Sequence, residues 1–179
     1  MIMKRWISAG FLCLFLLMPF LCMAAAVPLN DTIKEQQFIK SFNNCAKREN
    51  LSYRLVREPK YNRTETEEGF LSSFVIEGVH PHQNLILVWS GSESHIYAIH
   101  IFIDSPERLK DMIGETMIIE HALGMPGGEA QSDGMFAIVD AIKKGKGSYW
   151  SEATQRRYII EYFPPEGEEE TLLEIRADV

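Results

Sequence analysis

Residues 95–103, His-Ile-Tyr-Ala-Ile-His-Ile-Phe-Ile, alternate more regularly than any other stretch of the chain and predict a β-strand. Successive side chains of a strand point to opposite faces, so the odd-numbered residues of this run, Ile99 and Ile101 among them, share one face. The even-numbered residues, which include His100 and Phe102, share the other face. A sheet that extends outward from this strand is therefore expected to be the centre of the fold.

Five further strands are predicted, each from a short run of alternating or continuous apolar residues: 51–57, 70–77, 84–89, 158–162 and 173–179. The last two runs flank the turn sequence Pro164-Pro165-Glu166-Gly167, so they are expected to form a hairpin. Short links between the earlier runs favour antiparallel pairing. Residues 59–69 are polar and predict a loop or a solvated hairpin, and residues 145–155 predict a loop.

Three helices are predicted from apolar residues at helical spacing and from capping residues at their ends: Asn30 or Asp31 to about Lys47, Ser105 to Leu123, and Ser132 to Lys144. In the first helix, Phe38, Phe42 and Cys45 fall at positions i, i+4 and i+7 and form a core-facing stripe. Cys45 is therefore expected to be buried, the alternative being a reactive thiol or one that pairs between chains. Gly124 and Gly145 are expected to end the second and third helices.

The predicted elements follow the order α-β-β-β-β-α-α-β-β, with no internal repeat and no domain linker. This order is typical of an α+β fold, in which an antiparallel sheet carries its helices on one face. We expect a sheet of about five to six strands. We also expect one domain over residues 27–179, which agrees with the single domain that a chain of 179 residues usually forms.

Residues 1–26 have the three parts of a secretory signal peptide. Lys4 and Arg5 give a positive start, an almost unbroken apolar run covers residues 6–22, and Ala24-Ala25-Ala26 offers small residues to a signal peptidase. An uncleaved membrane anchor is the alternative, because the apolar run approaches the roughly 20 residues that span a bilayer. The alanines favour cleavage, so we expect a soluble domain in the periplasm or outside the cell that no longer contacts the membrane.

Cleavage would change the formal charge from −7 to −9, because the leader holds two of the 18 basic residues and none of the 25 acidic ones. Such an acidic domain is not expected to bind nucleic acid, since nucleic-acid-binding proteins normally present a basic surface. Of the three cysteines only Cys45 would remain, which excludes an internal disulfide. An exported domain without disulfides suits a bacterial periplasm, although three N-x-S/T triplets leave glycosylation and the bacterial origin open.

The motifs of common enzyme classes are missing from the sequence. Ser90-Gly91-Ser92 lacks the G-x-S-x-G frame of a serine hydrolase and predicts a turn instead. Residues 124–128 are rich in glycine and precede a helix, but no strand leads into them and no Lys-Ser/Thr follows, as a phosphate loop would require. The acidic runs offer no distinct pair of carboxylates for acid–base catalysis. We therefore expect no catalytic residue, no cofactor and no enzymatic activity.

The five histidines do not predict a metal site. His95 and His100 lie five residues apart on one strand, so they point to opposite faces and cannot share a metal ion. His121 lies on a helix without the H-E-x-x-H spacing that places two imidazoles on one face. His80 and His82 are the one plausible start of a site, and no third ligand is visible. We expect no bound metal.

The remaining candidate surface is acidic and aromatic. Negative charge is concentrated at residues 65–68 and 166–170, in predicted loops that would attract a basic partner. Tyr149 and Trp150 also lie in a predicted loop, where aromatic side chains commonly anchor interfaces, although Trp150 could equally cover the edge of the core. The candidate partner-binding residues are therefore Glu67, Glu68, Tyr149, Trp150, Glu168, Glu169 and Glu170.

Three classes of function remain open. The small size, signal peptide, acidity and missing catalytic motifs favour an exported inhibitor or immunity protein that masks a basic toxic or cell-wall-degrading enzyme by steric occlusion. The alternative is an accessory or chaperone-like component of an envelope assembly, which would act as a homodimer through its sheet or its helices. The third is a small hydrolase or ligand-binding protein that uses a helix–sheet cleft near His95 or His100.

Overall fold

The computed structural model describes residues 27–57, 64–66, 69–77, 84–103, 109–124, 129–164 and 171–178. Its helices are α1 (Glu35–Arg48), α2 (Leu109–Ala122) and α3 (Glu129–Lys144). Its strands are β1 (Arg54–Arg57), β2 (Thr64–Thr66), β3 (Gly69–Glu77), β4 (Asn84–Ser90), β5 (Ile96–Ile103), β6 (Lys146–Ser151), β7 (Arg156–Phe163) and β8 (Thr171–Asp178). The α+β class is confirmed, and the sheet is larger than expected, because β2 and β6 raise the strand count to eight.

The strands form one antiparallel sheet in the order β1-β3-β4-β5-β8-β7-β6, with β2 pairing with β3 outside this path. The strongest predicted strand, β5, lies in the middle of the sheet. Ile99 pairs with Val88 of β4 on one side and with Ile175 of β8 on the other. Within the predicted segment 59–69, the described residues 64–66 pair antiparallel with β3, in agreement with the hairpin, which was one of the two expected alternatives. The C-terminal hairpin consists of β7 and β8. It joins the sheet through β8, which pairs with β5 on the side opposite β4.

The main core lies between the helices and one face of the sheet. In α1, Phe38, Phe42 and Ala46 are fully buried on the predicted stripe, and Cys45 is half-buried beside them. The strand residues of this core alternate along each strand, as the period of two requires. Those of the central strands are Ile86, Val88, Ile99, Ile101, Leu173 and Ile175.

Part of the opposite face of the sheet is apolar as well. Leu71, Val75, Trp89, Ile159 and Leu172 are 3–9% exposed, yet they lie outside the cluster that the helices form with the sheet. An antiparallel sheet that packs on one face normally alternates apolar and polar residues along each strand. Here the outward-facing residues of β3 and β4 are mainly apolar, whereas those of β7 and β8 include the charged residues Glu161, Glu174 and Arg176.

Helix ends follow the sequence in two places and depart from it in two, one of which is the start of α3, at Glu129 instead of near Ser132. Gly124 and Gly145 have φ angles of +73° and +85°, the left-handed conformation that ends a helix, as predicted. The predicted start of α1 at Asn30 or Asp31 is wrong, because the helix begins at Glu35. The side chain of Asn30 serves the far end of α2 instead, where its Nδ2 donates a hydrogen bond of 2.8 Å to the carbonyl of Leu123.

The predicted loop at residues 145–155 is also wrong, because its first half is the strand β6. Burial alternates along β6, with Gly147, Tyr149 and Ser151 on the inner side. Two of these three inner residues are small and carry no apolar signal, which hides the strand from a hydrophobicity pattern. Edge position and small side chains thus explain why this strand was missed.

Several expectations fall on residues that the structure does not describe. These include the predicted leader at residues 1–26, the helix start at Ser105, and the histidines His80 and His82. In the described ranges from residue 27 onward, none of the helices combines the length and the apolar character needed to cross a bilayer.

Candidate functional site

A groove of about 580 Å³ lies between α3 and β6, at the edge of the sheet that β6 forms. α3 contributes four residues at positions i, i+3, i+4 and i+7, which share one face of a helix. β6 contributes three consecutive residues, and the turn that follows contributes one carboxylate. The lining residues are Asp133, Phe136, Ala137, Asp140, Ser148, Tyr149, Trp150 and Glu152.

Two glycines bring the walls of the groove together. Gly145 takes a left-handed conformation that reverses the chain between α3 and β6 within one residue. Gly147 then lets the backbone of β6 approach the helix, since a Cβ at this position would overlap the carbonyl oxygen of Ala137. The groove is therefore formed by neighbouring segments of the chain, packed at backbone contact distance.

The groove contains two solvent-exposed aromatic rings. Phe136 is 62% exposed and Trp150 is 42% exposed. Among the described residues, Phe136 is the most exposed of the large apolar side chains. Exposed aromatic side chains beside a concave surface are typical anchors of an interface, because they bury much apolar area at small cost in conformational entropy.

Tyr149 forms the floor of the groove and is only 9% exposed. Its hydroxyl donates a hydrogen bond of 3.1 Å to Oε1 of Glu120 in α2, and its ring stacks on Tyr158 with centroids 5.4 Å apart. Gly134 of α3 lies over the same carboxylate, since a Cβ there would be 2.5 Å from Oε2 of Glu120. The floor is thus fixed by contacts with α2, α3 and β7.

The carboxyl group of Glu120, which is buried under the floor, is less acidic than that of an exposed glutamate. Burial raises the pKa of Glu120 from 4.5 to about 7, although the hydrogen bond from Tyr149 acts in the opposite direction. Burial and the nearby carboxylate of Glu120 together raise the pKa of Tyr149, so its hydroxyl stays protonated and acts as the donor. Near neutral pH, Glu120 is therefore close to half ionised.

Three carboxylates line the groove together with the aromatic side chains, at Asp133, Asp140 and Glu152. Asp140 pairs with Lys144 one helical turn away, at 3.0 Å between Oδ1 and Nζ, and both side chains are about half exposed or more. Glu152 accepts a hydrogen bond of 3.0 Å from Nε2 of Gln155. No lysine or arginine is among the described residues that line the groove, so its lining is negative and complementary to a cation.

The structure brings together part of the predicted partner-binding site. Tyr149 and Trp150 both line the groove, but they do so from a strand, and Tyr149 is a buried residue of the floor instead of an exposed loop residue. The other five predicted residues lie outside the described ranges: Glu67, Glu68, Glu168, Glu169 and Glu170. The partner-binding role of all seven residues stays a prediction.

Six lining residues were missed by the sequence prediction, namely Asp133, Phe136, Ala137, Asp140, Ser148 and Glu152. A signal for one of them was present. The apolar face predicted for the third helix contains Ile138 and Ile142, and Phe136 falls off that face. A large aromatic residue on the polar side of an amphipathic helix predicts a binding role better than a core role.

His100 lies on the sheet face opposite the helices, where its Nε2 is 3.2 Å from Oε2 of Glu174. Arg176 extends the pair, with Nε 3.4 Å from Oε1 of Glu174 and Nη2 3.1 Å from Oε1 of Glu161. Burial alone would raise the pKa of Glu174, but the hydrogen bond and charge of His100 and the charge of Arg176 outweigh it and lower that pKa. His100 therefore belongs to an ion-pair network, not to a helix–sheet cleft.

His95 lies 3.7 Å from the carboxylate of Glu93 and its side chain is 19% exposed. Within the described parts of the chain, no three or more histidine, cysteine, aspartate or glutamate residues are grouped so that they could hold a metal ion. His80 and His82 are not among the described residues.

In the comparisons with known proteins, no family model, curated protein or solved structure matches this chain. The groove between α3 and β6 is therefore the observation from which function has to be inferred.

Proposed function

We propose that the chain is an exported protein-binding module that masks a basic protein. Among such modules, an inhibitor or immunity protein directed against a toxic or cell-wall-degrading enzyme suits this surface best. The observation that carries the proposal is the groove, which the exposed side chains of Phe136 and Trp150 line together with three carboxylates, called here the rim. Aromatic anchors inside a charged rim are typical of protein-binding surfaces.

The charge of the chain supports the same proposal. A formal charge of −7, or −9 without the predicted leader, would speed the approach of a basic partner at low ionic strength. At physiological salt the field extends only about 8 Å from the surface, so the carboxylates beside the groove matter most. The partner would be steered to the groove by charge and held there by the aromatic rings, and it would be inhibited by occlusion.

Capture from an envelope extract tests the proposal. The full chain, tagged at its C-terminus and exported by its own leader, is used to capture partners at low salt, and bound proteins are identified by mass spectrometry. We expect one basic enzyme in stoichiometric amount, released as salt is raised and inhibited by the purified chain at a 1:1 ratio. Capture of no enzyme, or of one whose activity the chain leaves unchanged, would contradict the proposal.

The second candidate is an accessory component of an envelope assembly that acts as a homodimer through its sheet. The observation that favours it is Phe163 of β7, a large apolar side chain on the sheet face opposite the helices that is 42% exposed. A second copy of the chain is one layer that could pack there. Light scattering tests this candidate. The wild-type chain should form a stable dimer, which Phe163→Glu should weaken and Leu51→Glu should leave unchanged. Phe163 and Leu51 are matched for exposure, at 42% and 39%.

A further inference from the structure

We propose that the groove between α3 and β6 binds an arginine side chain of the protein partner, with its guanidinium group against Trp150 and beside the carboxylates of the rim. The inference rests on the proposed function, because it names the chemical group by which the groove recognises that partner. It assigns separate tasks to the two kinds of lining residue. The rings provide a stacking surface, and the carboxylates provide hydrogen-bond acceptors.

The arrangement of the carboxylates favours an extended organic cation over a metal ion. Asp133 and Asp140 are seven residues apart on α3, so their positions are separated by about 10 Å along the helix axis. A calcium ion holds its oxygen ligands within roughly 2.3–2.6 Å, so all of them must converge on one point. A side chain with several separated donors can instead reach carboxylates that are spread along a groove.

The aromatic rings favour arginine over lysine. A guanidinium group is planar, stacks on aromatic faces and is more weakly hydrated than an ammonium group, which keeps a compact hydration shell. Trp150 and Phe136 offer such faces at 42% and 62% exposure. The volume of about 580 Å³ falls within the roughly 300–1,000 Å³ of pockets that hold drug-sized ligands, so the arginine can enter as part of a short peptide segment.

The floor of the groove is already ordered without a partner. Tyr149 is fixed by its hydrogen bond to Glu120 and by stacking on Tyr158. Gly147 meets the backbone of Ala137 directly, so no side chain at position 147 separates α3 from β6. A preorganised floor lowers the conformational cost of binding, so the partner's side chain need not open the site.

The test uses three peptides that differ at one central residue, which is arginine, lysine or citrulline. Citrulline has nearly the shape of arginine but no charge. Binding to the full exported chain is measured by titration calorimetry at low salt. We expect the arginine peptide to bind, the lysine peptide to bind at least about threefold more weakly, and the citrulline peptide to show no measurable binding. Equal binding of arginine and citrulline, or of arginine and lysine, would overturn the inference.

Variants of the lining residues test the position of the peptide. Trp150→Ala should weaken binding by about tenfold, whereas Phe163→Ala, at the same 42% exposure on the neighbouring strand, should leave it unchanged. Asp133→Asn, Asp140→Asn and Glu152→Gln should each weaken binding by about twofold to fivefold, as exposed ion pairs do. Glu93→Gln, outside the groove, is the matched control. All the substituted side chains are exposed or half-exposed, so the variants are expected to fold. Equal effects of Trp150→Ala and Phe163→Ala on peptide binding would refute the assignment.

The inference and the proposed function can fail separately. If the chain captures and inhibits a basic enzyme but Trp150→Ala leaves capture unchanged, the proposed function holds and the groove assignment is wrong. If the arginine peptide binds in the groove but the envelope extract yields no inhibited enzyme, the proposed function is wrong. In that case the groove is a site for arginine without a masking role.

Discussion

Replacing Glu120 with glutamine should change how the stability of the protein depends on pH. Glu120 is 6% exposed and lies beneath the groove, where the hydroxyl of Tyr149 donates to it. Its pKa is about 7 in the folded protein, against 4.5 for a glutamate in the unfolded chain. Between these two pH values the folded chain holds a proton that the unfolded chain has lost. Stability must therefore fall as pH rises through this range, and the loss is complete above about pH 7.

The size of the loss follows from the difference between the two pKa values. Each tenfold change in proton affinity corresponds to about 1.4 kcal/mol, so the burial of Glu120 should cost about 3 kcal/mol at pH 8 and nothing below pH 4. Glutamine fits the same space, accepts the hydrogen bond from Tyr149 and carries no charge at any pH. Glu120→Gln should therefore match the wild type near pH 4.5 and exceed its free energy of unfolding by about 3 kcal/mol at pH 8.

Urea unfolding at several pH values between 4.5 and 8.5 measures this difference directly. The titratable groups that interact with Glu120 are Tyr149 and Tyr158 from the sheet, and Asp133 from α3 interacts with Tyr149; all three are present in both proteins. Other titrations in this range therefore largely cancel in the comparison. Glu152→Gln, an exposed carboxyl of the same groove, should give a curve parallel to the wild type. A parallel curve for Glu120→Gln itself would refute the reasoning.

Three further predictions concern packing and polar contacts, each measured as a change in the free energy of unfolding. Gly147→Ala should destabilise the protein by about 1–3 kcal/mol, because its Cβ would overlap a carbonyl oxygen of α3, whereas Gly114→Ala in α2 meets no atom within 4 Å and should stabilise by up to about 1 kcal/mol. Glu174→Gln should cost about 1–3 kcal/mol at pH 7, and the difference should vanish in acid, because a lowered pKa contributes stability only above the pH where the carboxyl is protonated. Asn30→Ala should cost about 1–2 kcal/mol through the lost bond to the α2 carbonyl, and a loss below 0.5 kcal/mol would contradict that capping role.

The parts of the fold that the sequence predicted are those in which local chemistry decides the structure. β5 could be recognised because its two faces alternate over eight residues, and the ends of α2 and α3 could be recognised because only glycine takes the positive φ of Gly124 and Gly145 easily. The position of β8 between β5 and β7 could not be recognised in this way. Strand order depends on contacts between distant segments, and periodicity holds no information about them.

Only the part of the candidate site that lies on β6 could be predicted from the sequence, for the same reason. Tyr149 and Trp150 can be recognised in the sequence as adjacent aromatic residues just after the end of a predicted helix. Their partners Phe136 and Asp140 lie on that helix, and a close turn at Gly145 brings them within reach. Because β6 was expected to be a loop, its backbone had no defined path past α3, and the two groups of residues could not be placed in one groove.

The groove and the edge of the sheet are two consequences of one packing arrangement. β6 is an outer strand of the sheet, and an exposed outer strand invites pairing with other chains. α3 lies along the inner side of β6 at the closest approach that Gly147 permits, so the same contact that covers this side of the outer strand also forms the walls of the groove. Directly beneath lies Glu120, a buried carboxyl that costs stability at neutral pH. A destabilising group that persists inside an otherwise consistent fold is expected to serve function. The surface directly above Glu120 is this groove, which is therefore where that function is expected.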